Sequence, residues 1–212
     1  MHNANLVVLR REMVAIGRKM QNRGFVVAAE GNLSVRVSGH CFLVSPAGIN
    51  KGQMRVQDLV EVDREGRTSH GRPTSEWALH REIYLRRPDV RGICHAHCAW
   101  ATAFAAAGRD LDGTLLTETA QLLPLVPLAP RAKPGTIALA ASIGPHVAAH
   151  SAILLAHHGV VTMGRDLAAA FDLMETVERL AQVTLLSEVA AGRSTLDANE
   201  LRKLQKIKRS TY

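Results

Sequence analysis

The segment spanning residues 72–97, RPTSEWALHREIYLRRPDVRGICHAH, leaves the chain few ways to fold around it. Pro73 fixes φ, and Thr74 or Ser75 can cap a helix that carries Glu76 in its first turn. Trp77, His80 or Arg81, Tyr84 and Leu85 follow at helical spacing, and Pro88 stops the helix. Residues 90–94 then read as a short buried strand. Residues two apart on a strand share a face, so His95 and His97 are expected to project together. Two imidazoles on one face of a stiff element make a ready chelate for a divalent cation.

The flanking sequence supplies the layers that such a unit needs. Leu6, Leu9, Met13, Ile16 and Met20 recur every three or four residues, which predicts a helix over about residues 4–23, stopped by Gly24. Residues 32–37 and 41–44 read as strands joined by a Ser38-Gly39 hairpin turn, with a third strand near residues 59–62. An alanine-rich helix is expected from His97 to Ala107. Residues 109–133 are the hardest to read and hold one short strand over 125–128. A helix from Pro134 to about His150 follows, then apolar runs at 153–156 and 160–163 around His157-His158-Gly159. Leu167, Phe171, Met174, Val177, Ala181 and Leu185 mark a long helix to about Ala190. Six or seven short strands among helices, with hairpin-like connections, predict an α/β domain with a mostly antiparallel or mixed sheet covered by helices.

Composition narrows the function classes. Aromatic residues are scarce at 4%, so the core must be aliphatic and alanine-rich. Neither a long uncharged apolar run nor a secretory leader is visible, so the expected location is the cytoplasm. Cys41, Cys94 and Cys98 are odd in number and lack a CxxC pair, which argues for a reducing compartment and against a disulfide framework. Cys94 and Cys98 flank the histidine pair but read as core packing rather than soft ligands. The net charge of +7 is spread along the chain, apart from a cluster in the tail (Arg202, Lys203, Lys206, Lys208, Arg209). Without interleaved aromatics, it suits a solvated surface or attraction of a small anion better than nucleic acid.

Three constellations carry chemistry. His95 and His97 with a third histidine from the 157–158 turn match the three protein ligands of a catalytic zinc site, and His158 is favoured because it adjoins Gly159. Glu76 is either a favourable first-turn acid, a labile fourth ligand or a base. Gly31-Asn32-Leu33-Ser34 and Pro46-Ala47-Gly48 are either hairpin bends or, with the Thr74-Ser75 helix start, an anion cradle.

Taken in order, Glu30-Gly-Asn-Leu-Ser-Val-Arg36, Ser45-Pro-Ala-Gly48, Pro73-Thr-Ser-Glu76, His95-Ala-His97 and His158-Gly159 resemble the class II aldolase and adducin superfamily. The match is nearest to zinc aldolases of the fuculose-phosphate type and runs from the first helix to about Ala190. The resemblance implies one domain over residues 1–212, a three-layer αβα sandwich with a central mostly antiparallel sheet. The tail from about residue 193 would be flexible or lie at a subunit interface. It further implies a homotetramer with active sites between subunits. Zn2+, or Mn2+ or Co2+ in its place, would be held by His95, His97 and His158, with Glu76 as labile ligand or base. Asn32, Gly48, Thr74 and Ser75 would hold the substrate phosphate.

The implied reaction is cleavage of a phosphorylated ketose such as fuculose 1-phosphate into dihydroxyacetone phosphate and an aldehyde, through a metal-stabilised enediolate. Decarboxylases, 4-epimerases and dehydratases of the superfamily share these motifs, and adducin heads are non-catalytic. Glutamate at position 76 matches the aldolases, whereas the epimerases carry aspartate. Two positions depart from the fuculose-phosphate pattern. Ala47 replaces a threonine, and residues 114–125 lack the tyrosine contributed across subunits, leaving Glu118 as the nearest polar candidate. Tyr212 is the candidate for the C-terminal tyrosine acid.

Overall fold

A computed structural model describes residues 2–190 and 196–208. Helix α1 (His2–Asn22) buries Met13, Ile16 and Met20 along one stripe, and Gly24 turns the chain at φ +70°. Strands β1 (Asn32–Arg36), β2 (Cys41–Val44) and β3 (Val60–Asp63) form an antiparallel meander. Helix α2 (Trp77–Arg86) crosses over, and β4 (Gly92–Ala96) returns to pair antiparallel with β1. Next come α3 (Ala99–Ala106), β5 (Leu111–Asp112), α4 (Thr117–Leu122), β6 (Leu125–Val126) and β7 (Leu128–Ala129). The described chain continues through α5 (Ile137–Val147), β8 (Ala152–Leu155), β9 (Gly159–Gly164), α6 (Leu167–Ala190) and α7 (Ala198–Lys208).

The main sheet has the order β3-β2-β1-β4-β9-β8-β7, antiparallel except at β7–β8. Side chains alternate across it, so each strand feeds two cores. Leu33 and Val35 of β1 and Cys94 and Ala96 of β4 pack with α1, α3 and α6. Ile93, Val161 and Ile153 pack on the opposite face with α2 and α5. This is the expected three-layer α/β arrangement with a mostly antiparallel sheet, and both cysteines beside the histidine pair are core residues. Among the described residues no helix is long and apolar enough to cross a membrane.

Several local expectations are corrected. Glu76 lies at the cap position of α2 rather than in its first turn, and the Glu76 amide donates to Thr74 Oγ1 at 3.3 Å. Strand β4 ends at Ala96, so His97 leads into α3, which starts at Ala99. The single strand expected over 125–128 is split by Pro127, which has no N–H to donate to a ladder. Its two halves join different sheets, β6 pairing with β5 and β7 with β8. Helix α4 within the 109–133 region was not expected. The tail is helical over Ala198–Lys208, and α7 lies against α4.

β4 runs through the middle of the sheet directly under the start of α6. A Cβ added at Gly92 would stand 2.4 Å from the Asp166 carbonyl and the Leu167 Cα. Backbone cannot yield as a flexible side chain does. Gly92→Ala is therefore expected to destabilise the chain by about 2–4 kcal/mol, read as a lower urea midpoint at unchanged slope.

Candidate active site

The site lies at one end of the sheet, where β1 starts, β4 ends and the β8–β9 turn passes. Asn32 and Ser34 project from the same face of β1 towards α2, which presents Glu76, His80 and Tyr84 at four-residue intervals. These side chains meet in one buried file. Asn32 Nδ2 donates to Glu76 Oε2 at 2.8 Å, and His80 Nε2 contacts Asn32 Oδ1. His80 Nδ1 lies 2.6 Å from Ser34 Oγ, which is 2.8 Å from the Tyr84 hydroxyl.

Three imidazoles close the other side of Glu76. Asn32 and His95 are register partners in the β1–β4 ladder, so the ladder itself sets His95 beside the carboxylate. A carbonyl only accepts, so His95 Nδ1 donates to Val160 O at 3.0 Å, which leaves Nε2 turned towards the Glu76 carboxylate. His157 takes up φ +56° in the turn after β8. That turn aims His158 inward, with Nε2 3.5 Å from Glu76 Oε1. A Cβ on Gly159 would stand 2.4 Å from Ala96 O, so glycine lets β9 start this close to the end of β4. His97 completes the group, its ring centroid 5.1 Å from that of His95 and 4.9 Å from that of His158.

The electrostatics ask for a cation. His95 Nε2 lies 3.1 Å from Glu76 Oε2 without the alignment of a hydrogen bond, and Glu76 Oε1, His95 Nε2 and His158 Nδ1 are buried without hydrogen-bond partners. Buried polar atoms without partners are costly, and a cation held between the carboxylate and the rings would offset that cost. Ring nitrogens of His95, His97 and His158 lie within 4.8 Å of one another, the only group of this kind among the described residues. Burial, reinforced by His95, lowers His97 and pushes His158 down to about 4, so both rings are neutral, as ligands must be. Burial works to raise the Glu76 carboxyl, but His95 and the Asn32 amide outweigh it and hold Glu76 ionised. Three imidazoles and an ionised carboxylate fit a divalent cation well.

Asn32, Gly48, Thr74 and Ser75 line a cavity of about 170 Å³ that also touches Glu76, His97 and His158. Gly48 turns at φ +73° in its wall, and Ala47 offers no hydroxyl there. All the expected phosphate and metal residues are thus brought together. Glu118 is not. Within the chain it lies on α4 and lines a separate cleft of about 670 Å³ with Arg23, Trp100, Glu175 and Arg179. Tyr212 lies outside the described residues.

Sequence reasoning did not assign five residues the places they take around the site. Glu30 Oε2 stands 3.5 Å from His97 Nδ1, and the only hint is its place before Gly31 at φ +67°. His80, Ser34 and Tyr84 were readable as polar residues at strand and helix periods on facing elements. Lys51 is also buried close by, donating to Ala29 O at 3.0 Å and Ile49 O at 2.6 Å, and burial lowers its pKa to about 8.

Burial pushes His80 down to about 3, with His95 adding to the effect and Glu76 opposing it. Unfolded, the same ring titrates near 6.5. Between these values the unfolded chain binds a proton that the native chain refuses, so stability is complete above about pH 6.5 and falls as pH drops towards 3. His80 alone contributes a slope approaching about 1.4 kcal/mol per pH unit in that window. Urea midpoints between pH 7 and 4 are expected to fall, and to fall less steeply in His80→Gln.

The sequence pattern described as the Class II Aldolase and Adducin N-terminal domain matches residues 11–185. A 5-methylthioribulose-1-phosphate/5-deoxyribulose-1-phosphate aldolase of Rhodospirillum rubrum is 32% identical over 204 residues, covering 95% of this chain and 92% of its own. A 3-oxo-tetronate 4-phosphate decarboxylase of Haemophilus influenzae is 32% identical over 182 residues, covering 81% of this chain and 84% of its own. Among solved structures, an L-fuculose 1-phosphate aldolase superposes with a TM-score of 0.87 at 27% identity, over 95% of this chain and 96% of that one. The corresponding enzyme of Thermus thermophilus superposes at 0.78 with 31% identity, over 88% and 97%. A chain that matches the pattern across its sheet and most of its helices, and that shares this fold, belongs to the class II aldolase and adducin family.

Proposed function

We propose that this protein is a divalent-metal-dependent carbon–carbon lyase that cleaves a phosphorylated ketose, such as fuculose 1-phosphate, into dihydroxyacetone phosphate and an aldehyde. One observation carries the reading. A buried Glu76 faces the Nε2 atoms of His95 and His158 at 3.1 and 3.5 Å, and Glu76 Oε1, His95 Nε2 and His158 Nδ1 are left without hydrogen-bond partners. His95, His97 and His158 hold the cation, with Glu76 as its labile fourth ligand. Zn2+ suits three imidazoles best, and Mn2+ or Co2+ could replace it. When bound, the cation supplies Lewis acidity towards the substrate carbonyl and the negative charge that builds up beside it.

The chain's own residues do the rest. Asn32, Gly48, Thr74 and Ser75 hold the phosphate and so fix the distance of the reacting carbons from Glu76. The Thr74 hydroxyl accepts from the Glu76 amide and keeps its own hydrogen for a phosphate oxygen. Glu76, ionised at rest, takes up the hydroxyl proton released as the carbon–carbon bond breaks and passes it to the carbon beside the carbonyl. The described residues that line the cavity include no phenol. The reading therefore includes a homotetramer in which a neighbouring copy or the tail brings a proton donor, with Tyr212 and Glu118 as candidates. It places a single domain in the cytoplasm.

A second reading is decarboxylation of a phosphorylated keto-acid at the same site, favoured by the Haemophilus influenzae relative, which equals the Rhodospirillum rubrum aldolase in identity. A screen of ketose phosphates and phosphorylated keto-acids, with products identified by mass, separates the two. An aldehyde supports the aldolase, and released carbon dioxide moves the assignment to the decarboxylase. His95→Ala is expected to lose both bound metal, measured per chain by elemental analysis, and all turnover. Turnover that survived the change would overturn the ligand set.

A further inference from the structure

The file of side chains behind Glu76 has a direction, and its hydrogens can be assigned from the end. A carboxylate only accepts, so the Asn32 atom 2.8 Å from Glu76 Oε2 is the amide nitrogen, and Oδ1 faces His80. Oδ1 also only accepts, so His80 Nε2 carries the hydrogen between them. With the ring hydrogen on Nε2, Nδ1 of the fully buried ring is left as a lone pair, to which the Ser34 hydroxyl at 2.6 Å donates. Ser34 Oγ in turn accepts from the Tyr84 hydroxyl at 2.8 Å. Every donor from Tyr84 to Asn32 has one acceptor, and the reverse arrangement would set the Asn32 carbonyl against the carboxylate.

The far end of the file is pinned. Arg36 donates to Tyr84 O at 2.7 Å, Arg87 O at 3.2 Å and Val90 O at 3.1 Å, and stacks on the Tyr84 ring at 4.7 Å. Tyr84 thus has little freedom to turn its hydroxyl away. At the near end, Asn32 spends one amide hydrogen on Glu76 and keeps the second for the cavity it lines. An amide free to flip would offer an oxygen to both the carboxylate and an anionic substrate.

We propose that His80 is a positioning residue: locked as the Nε2–H tautomer by Ser34 and Tyr84, it fixes the Asn32 amide so that its hydrogens face Glu76 and the substrate. His80 touches neither the imidazole cluster nor the cavity, and it acts only through Asn32. Its kinetic consequence rests on the lyase reading above; the tautomer does not.

The test has two arms. In the first, the intact protein is labelled with 15N-histidine, and the His80 signal is identified by its absence from His80→Gln. A protonated Nε2 and an unprotonated, hydrogen-bonded Nδ1 are expected, unchanged between pH 8 and 5. A proton on Nδ1, or on both nitrogens, overturns the proposal even if the enzyme is active. In the second arm, His80→Leu is expected to lower kcat by about 10- to 100-fold, with KM changing less. His80→Gln keeps an N–H near the Nε2 position and is expected to recover most of that loss. Asn32→Ala with His80→Leu should be no slower than Asn32→Ala alone. Equal losses in the Leu and Gln variants, or losses that multiply in the double variant, would reduce His80 to a packing residue and overturn the proposal. If no substrate is turned over by the wild-type protein, the lyase reading fails, and the tautomer measurement still decides this one.

Discussion

A strand advances about 6.7 Å in two residues and a helix about 6.0 Å in four. The near match lets one step of β1, from Asn32 to Ser34, interleave with Glu76, His80 and Tyr84 of α2, and the site depends on it. Glu76, His80 and Tyr84 meet Asn32 and Ser34 in turn because the two repeats have not yet drifted apart. A longer file would lose register, and a shorter one would leave the Asn32 amide unpinned. The partner strand β4 then adds His95 opposite Asn32 by simple ladder pairing. Two regular repeats and one strand register therefore fix most of the polar atoms around Glu76.

Most of this was legible in the sequence where a repeat or an ordered motif carried it. The helical stripe of α1, the meander of β1 to β3 and the run from Thr74 to His95 follow from period and punctuation alone. Of two neighbouring histidines, His158 was favoured as the third imidazole for its place beside Gly159, and the turn geometry shows why it is the one that points inward. With His157 at φ +56° the chain reverses, and His158 falls inward. The region from 109 to 133 was opaque because its elements are only two to six residues long, too short for any period to show. Pro127 further divides one apolar run between two sheets. Contacts between separate elements, such as Glu30 with His97, leave no local trace at all.

The polar file also explains how a carboxylate can be kept buried and ionised beneath a helix. Burying a lone charge costs far more than one hydrogen bond returns, so its partners must be present before the site closes. Here they come from backbone-anchored neighbours rather than from long flexible cations. Asn32 and Ser34 belong to a central strand, His80 and Tyr84 to a helix pinned at its far end by Arg36. Few rotamers remain to be frozen when substrate arrives, which is the structural meaning of preorganisation.

The end-of-sheet placement of the site divides labour within the fold. Glu76, His95 and the file behind them sit on the inner face of α2 and on the central strands β1 and β4. The cavity beside Glu76 takes the rest of its wall from the turns around Ala29, Ala47 and Pro134. Mutations can accumulate in those turns at little cost to the core. A lineage can therefore exchange one phosphorylated substrate for another by drift in its loops while the acid and the imidazoles stand still. Relatives named for different reactions at nearly equal identity to this chain are the record such a division would leave.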